Sequence, residues 1–360
     1  MSATETVLIF PAGLPDGLSY RAEAAAMGAR VIGASSLEFD PARPEFETWE
    51  RLPYITETGF GDALAALVRR RRITSIFTPH FVTWLHLSDQ LATIAPGVRL
   101  LRSRNMLDAE AAYRELRLRL ARIDASDPFA APAIAPRPPL REAERTGLIR
   151  LVDSIPGMCS EEKSLAVMDA ARCAPRGDVV EIGSWWGKSA ALFCWLARHY
   201  EIGATLCIDP WRKEAWPQGE AFVDRASAAM DPDEGLRIFE INLAPLAGGR
   251  LNYLRTGARE AAERFKPGLE IETTAFGRTR YEGRIAMLHI DGNHALDHVT
   301  DDARLWTPHV APGGWIIFDD YIWPFGDGPK RVGDALLERE ASRIQLSFVA
   351  GTALFIQLTA

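Results

Sequence analysis

Short apolar runs alternate with longer stretches of helical periodicity in the first part of the chain, and this alternation predicts a parallel α/β unit. The predicted strands cover residues 7–10, 30–34, 75–78 and 98–101. The predicted helices cover residues 18–27, 60–70, 81–93 and 105–122. The pattern therefore predicts an N-terminal α/β domain over residues 1–122.

A proline-rich stretch follows this unit. Residues 124–140 contain five prolines, which cannot lie in the interior of a regular helix. We therefore predict a semi-extended linker over residues 123–144 and a second domain over residues 145–360.

The second domain repeats the alternation of strand and helix and then changes it. Five strand–helix units are followed by two strands joined by a short turn, which predicts a parallel sheet ending in an antiparallel hairpin. Pro312-Gly313-Gly314 predicts a turn into the strand at Trp315. The predicted strands are 179–182, 205–208, 251–254, 285–290, 315–318, 344–349 and 353–358, and the predicted helices are 160–173, 187–199, 233–246, 258–265, 295–307 and 329–341.

Charge and composition narrow the classes of partner. The net charge of −7 argues against a surface that binds nucleic acid. No apolar run approaches the roughly 20 residues of a membrane helix, and the N-terminus lacks the basic region of a signal peptide. None of the four cysteines forms a CxxC pair. We therefore expect reduced thiols and a cytoplasmic protein. The expected partner is a small-molecule or glycan acceptor, and a homo-oligomer is possible.

The segment from Val179 to Ala190 carries the clearest chemical signal. It is a buried strand with an acidic residue, a glycine turn and the start of a helix, an arrangement that brings backbone N–H groups to a ligand. The sequence Glu181-Ile-Gly183-Ser-Trp-Trp-Gly187 resembles motif I of class I methyltransferases, which use S-adenosylmethionine (SAM). That resemblance implies a cofactor site formed by Glu181, Gly183, Ser184, Trp185, Gly187, Ser189, Asp209 and Gly257.

A dinucleotide site is the rival interpretation of this turn. NAD folds require G-x-G-x-x-G, whereas Trp185 stands where that pattern has a glycine. Asp209, at the end of the next predicted strand, would suit the ribose of either cofactor. The spacing favours SAM and leaves NAD as an alternative.

Two further predicted strands end in carboxylates. Asp291 follows Leu288-His-Ile, and Asp319 and Asp320 follow Ile317-Phe. The motifs I-D-G-x-H and D-D-Y resemble those of metal-dependent O-methyltransferases that act on sugar hydroxyls of macrolides and glycans. In that family the two strands are neighbours, so the resemblance implies that Asp291, Asp319 and Asp320 bind Mg²⁺ or another hard divalent cation. Carboxylate oxygens are ligands that such cations prefer.

The same resemblance assigns the chemistry. Asp291 and His294 are the predicted catalytic residues, with His294 as the general base that takes the proton of a sugar hydroxyl. The predicted function is SAM-dependent, Mg²⁺-assisted O-methyl transfer to a sugar or a glycosylated natural product. The alternatives are a SAM-binding scaffold without activity and an NAD-linked carbohydrate enzyme.

The N-terminal unit has a weaker likeness. Its strand and loop pattern resembles the Rossmann-like domain that precedes ATP-grasp modules, although no such module follows it. We expect either a structural domain or a ligand cleft lined by residues 11–16 with His80 and His86.

Overall fold

The computed structural model describes residues 5–123, 131–215, 217, 224–225 and 228–360. The chain divides into two compact units, Met1–Leu118 and Arg119–Ala360. Residues 124–130 of the predicted linker, and the first four residues of the N-terminus, lie outside the described part of the chain.

The first unit is a parallel sheet flanked by helices. Its strand order is β3-β2-β1-β4-β5, and every pairing is parallel, as the alternating pattern predicts. The strands are β1 (Thr6–Ile9), β2 (Arg30–Ser35), β3 (Trp49–Arg51), β4 (Ser75–Thr78) and β5 (Arg99–Arg102), and the helices are α1 (Pro15–Ala26), α2 (Phe60–Arg71), α3 (Phe81–Ile94) and α4 (Met106–Ile123).

The second unit contains a larger mixed sheet and a separate two-stranded hairpin. The strands are β6 (Asp178–Ile182), β7 (Thr205–Ile208), β8 (Leu251–Leu254), β9 (Glu270–Thr273), β10 (Gly277–Arg280), β11 (Ile285–Ile290), β12 (Val310–Phe318), β13 (Ile344–Ala350) and β14 (Ala353–Leu358). The helices are α5 (Glu142–Asp153), α6 (Glu161–Arg172), α7 (Lys188–His199), α8 (Pro232–Ala247), α9 (Ala258–Arg264), α10 (Leu296–Trp306) and α11 (Gly328–Arg339). None of the helices in the described ranges is long and apolar enough to span a bilayer.

The strand order of the large sheet is β13-β14-β12-β11-β6-β7-β8. Five of its strands are parallel, and the last two pair antiparallel at one edge. This is the class I methyltransferase sheet, and the predicted fold class is confirmed. The carboxyl ends of β6, β7, β11 and β12 meet along one edge, where open α/β sheets bind ligands.

The Pro312-Gly313-Gly314 segment differs from its prediction. It lies inside β12, which begins at Val310, and does not form a turn before the strand. Val310 pairs with Ile285 and Trp315 pairs with Met287, so extra residues form a bulge in β12. A bulge absorbs the proline and the glycines without ending the strand.

Residues 131–141, within the predicted linker, are hydrogen-bonded to strands and helices of the second unit. The backbone N–H of Ala133 donates to the side-chain oxygen of Gln357 at 2.9 Å. The N–H of Arg137 donates to the carbonyl of Arg172 at 3.0 Å. This part of the stretch is therefore an edge of the folded unit, fixed by hydrogen bonds.

Candidate active site

The glycine turn after β6 is held tightly against the end of β11. Gly183 has φ +83°, and a Cβ there would lie 2.0 Å from the carbonyl oxygen of Asp291. Trp185 has φ +46°, a conformation that costs a side-chain-bearing residue roughly 1–2 kcal/mol.

The Asp209 carboxylate, directly after β7, stabilises the glycine turn. Its oxygens accept hydrogen bonds from the backbone N–H groups of Ser184 at 3.2 Å, Trp185 at 2.9 Å and Trp211 at 2.8 Å. Burial raises the pKa of Asp209, and these three donors oppose the rise. In the structure, Asp209 therefore binds the backbone of the cofactor turn. Its contact with the ribose of a bound cofactor stays a prediction.

Glu181 lies beneath the turn, inside the sheet. Its side chain is fully buried, and Oε1 lies 3.1 Å from His289 Nδ1 on β11. The other nitrogen of His289 is buried without a hydrogen-bond partner among the described residues. It points between two carboxylates, 3.9 Å from Asp291 Oδ2 and 3.8 Å from Asp319 Oδ2. His289 therefore connects the cofactor strand β6 to the acidic cluster.

The three predicted metal ligands converge, because β11 and β12 are neighbours in the sheet. Their possible ligand atoms form two groups, each with all its atoms within 4.8 Å. The inner group is His289, Asp291 and Asp319, and the outer group is Asp291, His294 and Asp320. Asp291 belongs to both.

The electrostatics of the cluster follow from burial and like charge. Burial, followed by the charge of Asp319, raises the pKa of Asp291 well above its usual range. The same two causes raise the pKa of Asp320 to about 7. Carboxylates in this state gain most from a nearby cation.

A buried lysine, which the sequence interpretation missed, lies in the cluster. Lys163 on α6 is 1% exposed, and its ammonium contacts Asp319 Oδ2. Burial alone would lower the pKa of Lys163, but the charges of Asp319 and Asp291 raise it instead. The signal was present in the sequence, since Lys163 shares a helical stripe with Ala166 and Val167, which are also buried.

His294 stands at the open side of the cluster. Its Nε2 lies 3.1 Å from Asp320 Oδ2, and its ring meets Trp323 edge-on with centroids 4.9 Å apart. Burial lowers the pKa of His294, so a neutral imidazole that can accept a proton is favoured at neutral pH.

The remaining predicted cofactor residues lie at helix starts. Ser189 is buried in the first turn of α7, and Gly187 precedes that helix with φ +89°. Gly257 precedes α9, and a Cβ there would meet nothing within 4 Å. The Ser184 hydroxyl is buried without a hydrogen-bond partner among the described residues. Open space at Gly257 and an orphaned hydroxyl in the turn both fit a bound polar cofactor.

The donor set of the cluster also fits a hard divalent cation. Carboxylate oxygens are the ligands that Mg²⁺ prefers, and Asp291 and Asp320 offer them on the partly exposed side of the cluster.

The segment between β7 and α8 reaches the same edge of the sheet. The side chain of Asn293 donates to the carbonyl of Pro217 at 2.7 Å. Trp211 is buried and donates to the carbonyl of Trp185 at 3.0 Å, so it supports the cofactor turn. Within this segment, residues 216, 218–223 and 226–227 lie outside the described part of the chain.

Comparisons with known proteins give methyltransferases. Residues 180–321 match a family model described as a methyltransferase domain. The 8-demethyl-8-(2,3-dimethoxy-alpha-L-rhamnosyl)-tetracenomycin-C 4'-O-methyltransferase of Streptomyces olivaceus is 31% identical over 148 residues, which cover 40% of this chain. The chain spans about half, 53%, of that relative's length.

Two solved structures are similar at lower identity. The O-methyltransferase NovP is 19% identical with a TM-score of 0.42, over 70% of this chain and 100% of that one. MycE methyltransferase from the mycinamycin biosynthetic pathway, in complex with Mg, SAH and mycinamycin VI, is 16% identical with a TM-score of 0.35, over 59% and 54%. Because both TM-scores are low, the fold assignment depends on the strand order. Residues 180–321 match the methyltransferase-domain model and lie within a sheet that has the class I strand order.

Proposed function

We propose that the chain is a SAM-dependent O-methyltransferase that acts on a hydroxyl of a sugar or a glycosylated natural product. The observation that carries this proposal is the contact between the two parts of the site. Gly183 of the cofactor turn packs directly on the backbone of Asp291, so a donor on the turn and an acceptor at the carboxylates would be neighbours. Methyl transfer requires that proximity.

The donor side of the site is the glycine turn with the open start of α9 at Gly257. When bound, SAM supplies a methyl group on a sulfonium, which leaves S-adenosylhomocysteine. The Ser184 hydroxyl and the backbone N–H groups at the start of α7 are the chain's proposed contacts to its polar end.

The acceptor side is the acidic cluster. Asp291 and Asp320 are the proposed ligands of a divalent cation. Asp319 is also a proposed ligand of this cation. Its Oδ2 contacts the Lys163 ammonium, whereas its Oδ1, 3.5 Å from the Thr352 hydroxyl, is the oxygen that would bind the cation. When bound, the cation supplies a Lewis acid that lowers the pKa of the acceptor hydroxyl.

His294 is the proposed general base. Its buried Nδ1 has no hydrogen-bond partner in the described ranges, and the ring is partly buried beside Trp323. The acceptor's proton would pass to the imidazole as the carbon–oxygen bond forms and the carbon–sulfur bond breaks.

The acceptor class is inferred from two supports. The curated relative acts, by its name, on a rhamnosyl group. In this chain, the rings of Trp323 and Phe325 meet edge-on beside His294, with centroids 5.2 Å apart. Aromatic faces suit sugar rings or an apolar aglycone.

The test is a methyl-transfer assay on rhamnosides with the full chain, with Mg²⁺ or with EDTA. We expect activity that EDTA abolishes and that Asp320→Asn lowers at least a hundredfold. Asp297→Asn, a change at an exposed carboxylate, serves as the matched control and keeps activity.

Binding separates the alternatives. Calorimetry should show binding of S-adenosylhomocysteine and no binding of NAD. Affinity for S-adenosylhomocysteine without transfer to any rhamnoside would support a non-catalytic scaffold and contradict the proposed activity.

A further inference from the structure

The inner group of the acidic cluster already contains a cation. The ammonium of Lys163 contacts Asp319 Oδ2 and lies 3.9 Å from Asp291 Oδ2. His289 Nε2 approaches the same two oxygens at 3.8 and 3.9 Å. The space that these three ligands enclose is therefore the space that the lysine reaches.

Lys163 is fixed there by the elements around it. Its backbone N–H donates to the Ser160 hydroxyl at 3.2 Å, which caps α6. The turn between β13 and β14 presses on the same residues, since a Cβ at Gly351 would lie 2.5 Å from Ser160 Oγ and 3.4 Å from Lys163 Cβ. A lysine stem enclosed in this way has little freedom to withdraw its ammonium.

The outer group differs in its surroundings. Asp291, His294 and Asp320 are all partly exposed, whereas Lys163, His289 and the Asp319 side chain are buried. Asp291 lies in both groups, as a carboxylate that bridges two ions does in a two-metal site.

We propose that Lys163 is the resident cation of the inner group, and that it takes the place of a second metal so that the centre binds one divalent ion, on the outer side at Asp291, Asp320 and Oδ1 of Asp319. The charges agree with this assignment, because one ammonium and one divalent ion together balance the three carboxylates. The inference depends on the proposed function in one respect, the binding of a divalent ion.

The test measures Mn²⁺ binding to the full chain by electron paramagnetic resonance, without SAM or acceptor. We expect the wild-type protein to bind one Mn²⁺ and Lys163→Met to bind two, because the emptied inner group gains a net negative charge. The double variant Lys163→Met/Asp319→Asn, which removes both charges of the pair, should return to one.

A second variant keeps the test decisive if Lys163→Met does not fold. Asp320→Asn should weaken the single Mn²⁺ site of the wild-type chain at least tenfold, because the ammonium bars the inner group. Tight binding of one Mn²⁺ to Asp320→Asn, or one ion with unchanged affinity in Lys163→Met, would overturn the role of Lys163 alone. A wild-type chain that binds no Mn²⁺ would overturn the metal part of the proposed function as well.

Discussion

Gly183 and Gly257 both follow strands at the proposed cofactor site, but their surroundings differ. A methyl group at Gly183 would lie 2.0 Å from a backbone oxygen, whereas one at Gly257 would meet no atom within 4 Å. We expect Gly183→Ala to destabilise the protein by several kcal/mol, about 3 or more, because backbone must move. Gly257→Ala should leave the melting temperature unchanged and weaken S-adenosylhomocysteine binding at least tenfold.

Thermal melts and calorimetry on the two variants check this pair. Full affinity in a stable Gly257→Ala variant would remove Gly257 from the cofactor site. A Gly183→Ala variant that melts with the wild type would show that the turn is not held against residue 291.

Asp302 on α10 is a buried carboxyl whose titration opposes folding. Burial raises its pKa to about 7, with a further rise from Asp301 and an opposing effect of Arg259. The unfolded value is about 3.9, so the folded protein holds the proton more tightly between about pH 4 and pH 7. Stability therefore falls as pH rises through that window and stays low above it, by at most about 4 kcal/mol.

Asp302→Asn removes this titration. We expect the variant to be more stable than wild type at pH 8 and nearly equal to it at pH 4, measured by urea unfolding. Asp297→Asn, at an exposed position on the same helix, should show no such pH-dependent gain. Equal stabilisation by Asp302→Asn at both pH values would contradict the assignment.

At the scale of elements, Gln357 on β14 joins segments that are distant in sequence. It is fully buried, accepts from the N–H of Ala133, and donates to the carbonyls of Cys173 and Gly313 at 3.1 Å each. Gln357→Leu would remove three hydrogen bonds to backbone groups, at roughly 1–3 kcal/mol for each buried group that loses its partner.

We expect Gln357→Leu to lower the free energy of unfolding by at least 2 kcal/mol in urea titrations. Gln345→Leu is the matched control, because Gln345 is exposed and makes one bond, to the carbonyl of Ala131 at 3.0 Å. Equal losses in the two variants would argue against a special role for the buried glutamine.

The sequence predicts most of these elements and misses those that lack a clear periodicity of apolar residues. Strands β6, β7, β8 and β11 are apolar runs, and their predicted and observed bounds agree within one residue. The hairpin β9–β10 was not predicted, because its exposed positions are charged and its apolar residues are few. Helix α5 was missed because it begins at Glu142, just after the prolines.

At the scale of the molecule, the proposed site lies wholly within the second unit. Residues 131–360 contain the cofactor turn, the acidic cluster and Lys163. Cutting before residue 131 breaks the Arg119–Glu161 ion pair, and partly exposed pairs of this kind contribute little. We expect the fragment 131–360 to fold and to bind S-adenosylhomocysteine within threefold of the full chain.

Calorimetry on the fragment and the full chain checks this prediction, and circular dichroism confirms that the fragment is folded. A folded fragment that has lost its affinity would show that residues before 131 contribute to binding.

The sequence by itself determined the class of the fold and the residues at the ends of its strands. Apolar periodicity is local, and a carboxylate at a strand end can be identified without knowing its neighbours. The sequence also placed Asp291, Asp319 and Asp320 at one edge once the strand order was assumed. The sequence did not show which side chains those carboxylates contact.

Only the tertiary structure decided how the charges pair. It set Lys163 of α6 against Asp319, 156 residues away in sequence, and Glu181 against His289 across neighbouring strands. The physical reason is that a buried charge is stabilised by whichever partner the packing brings within a few ångströms, and that distance depends on elements far apart in the chain.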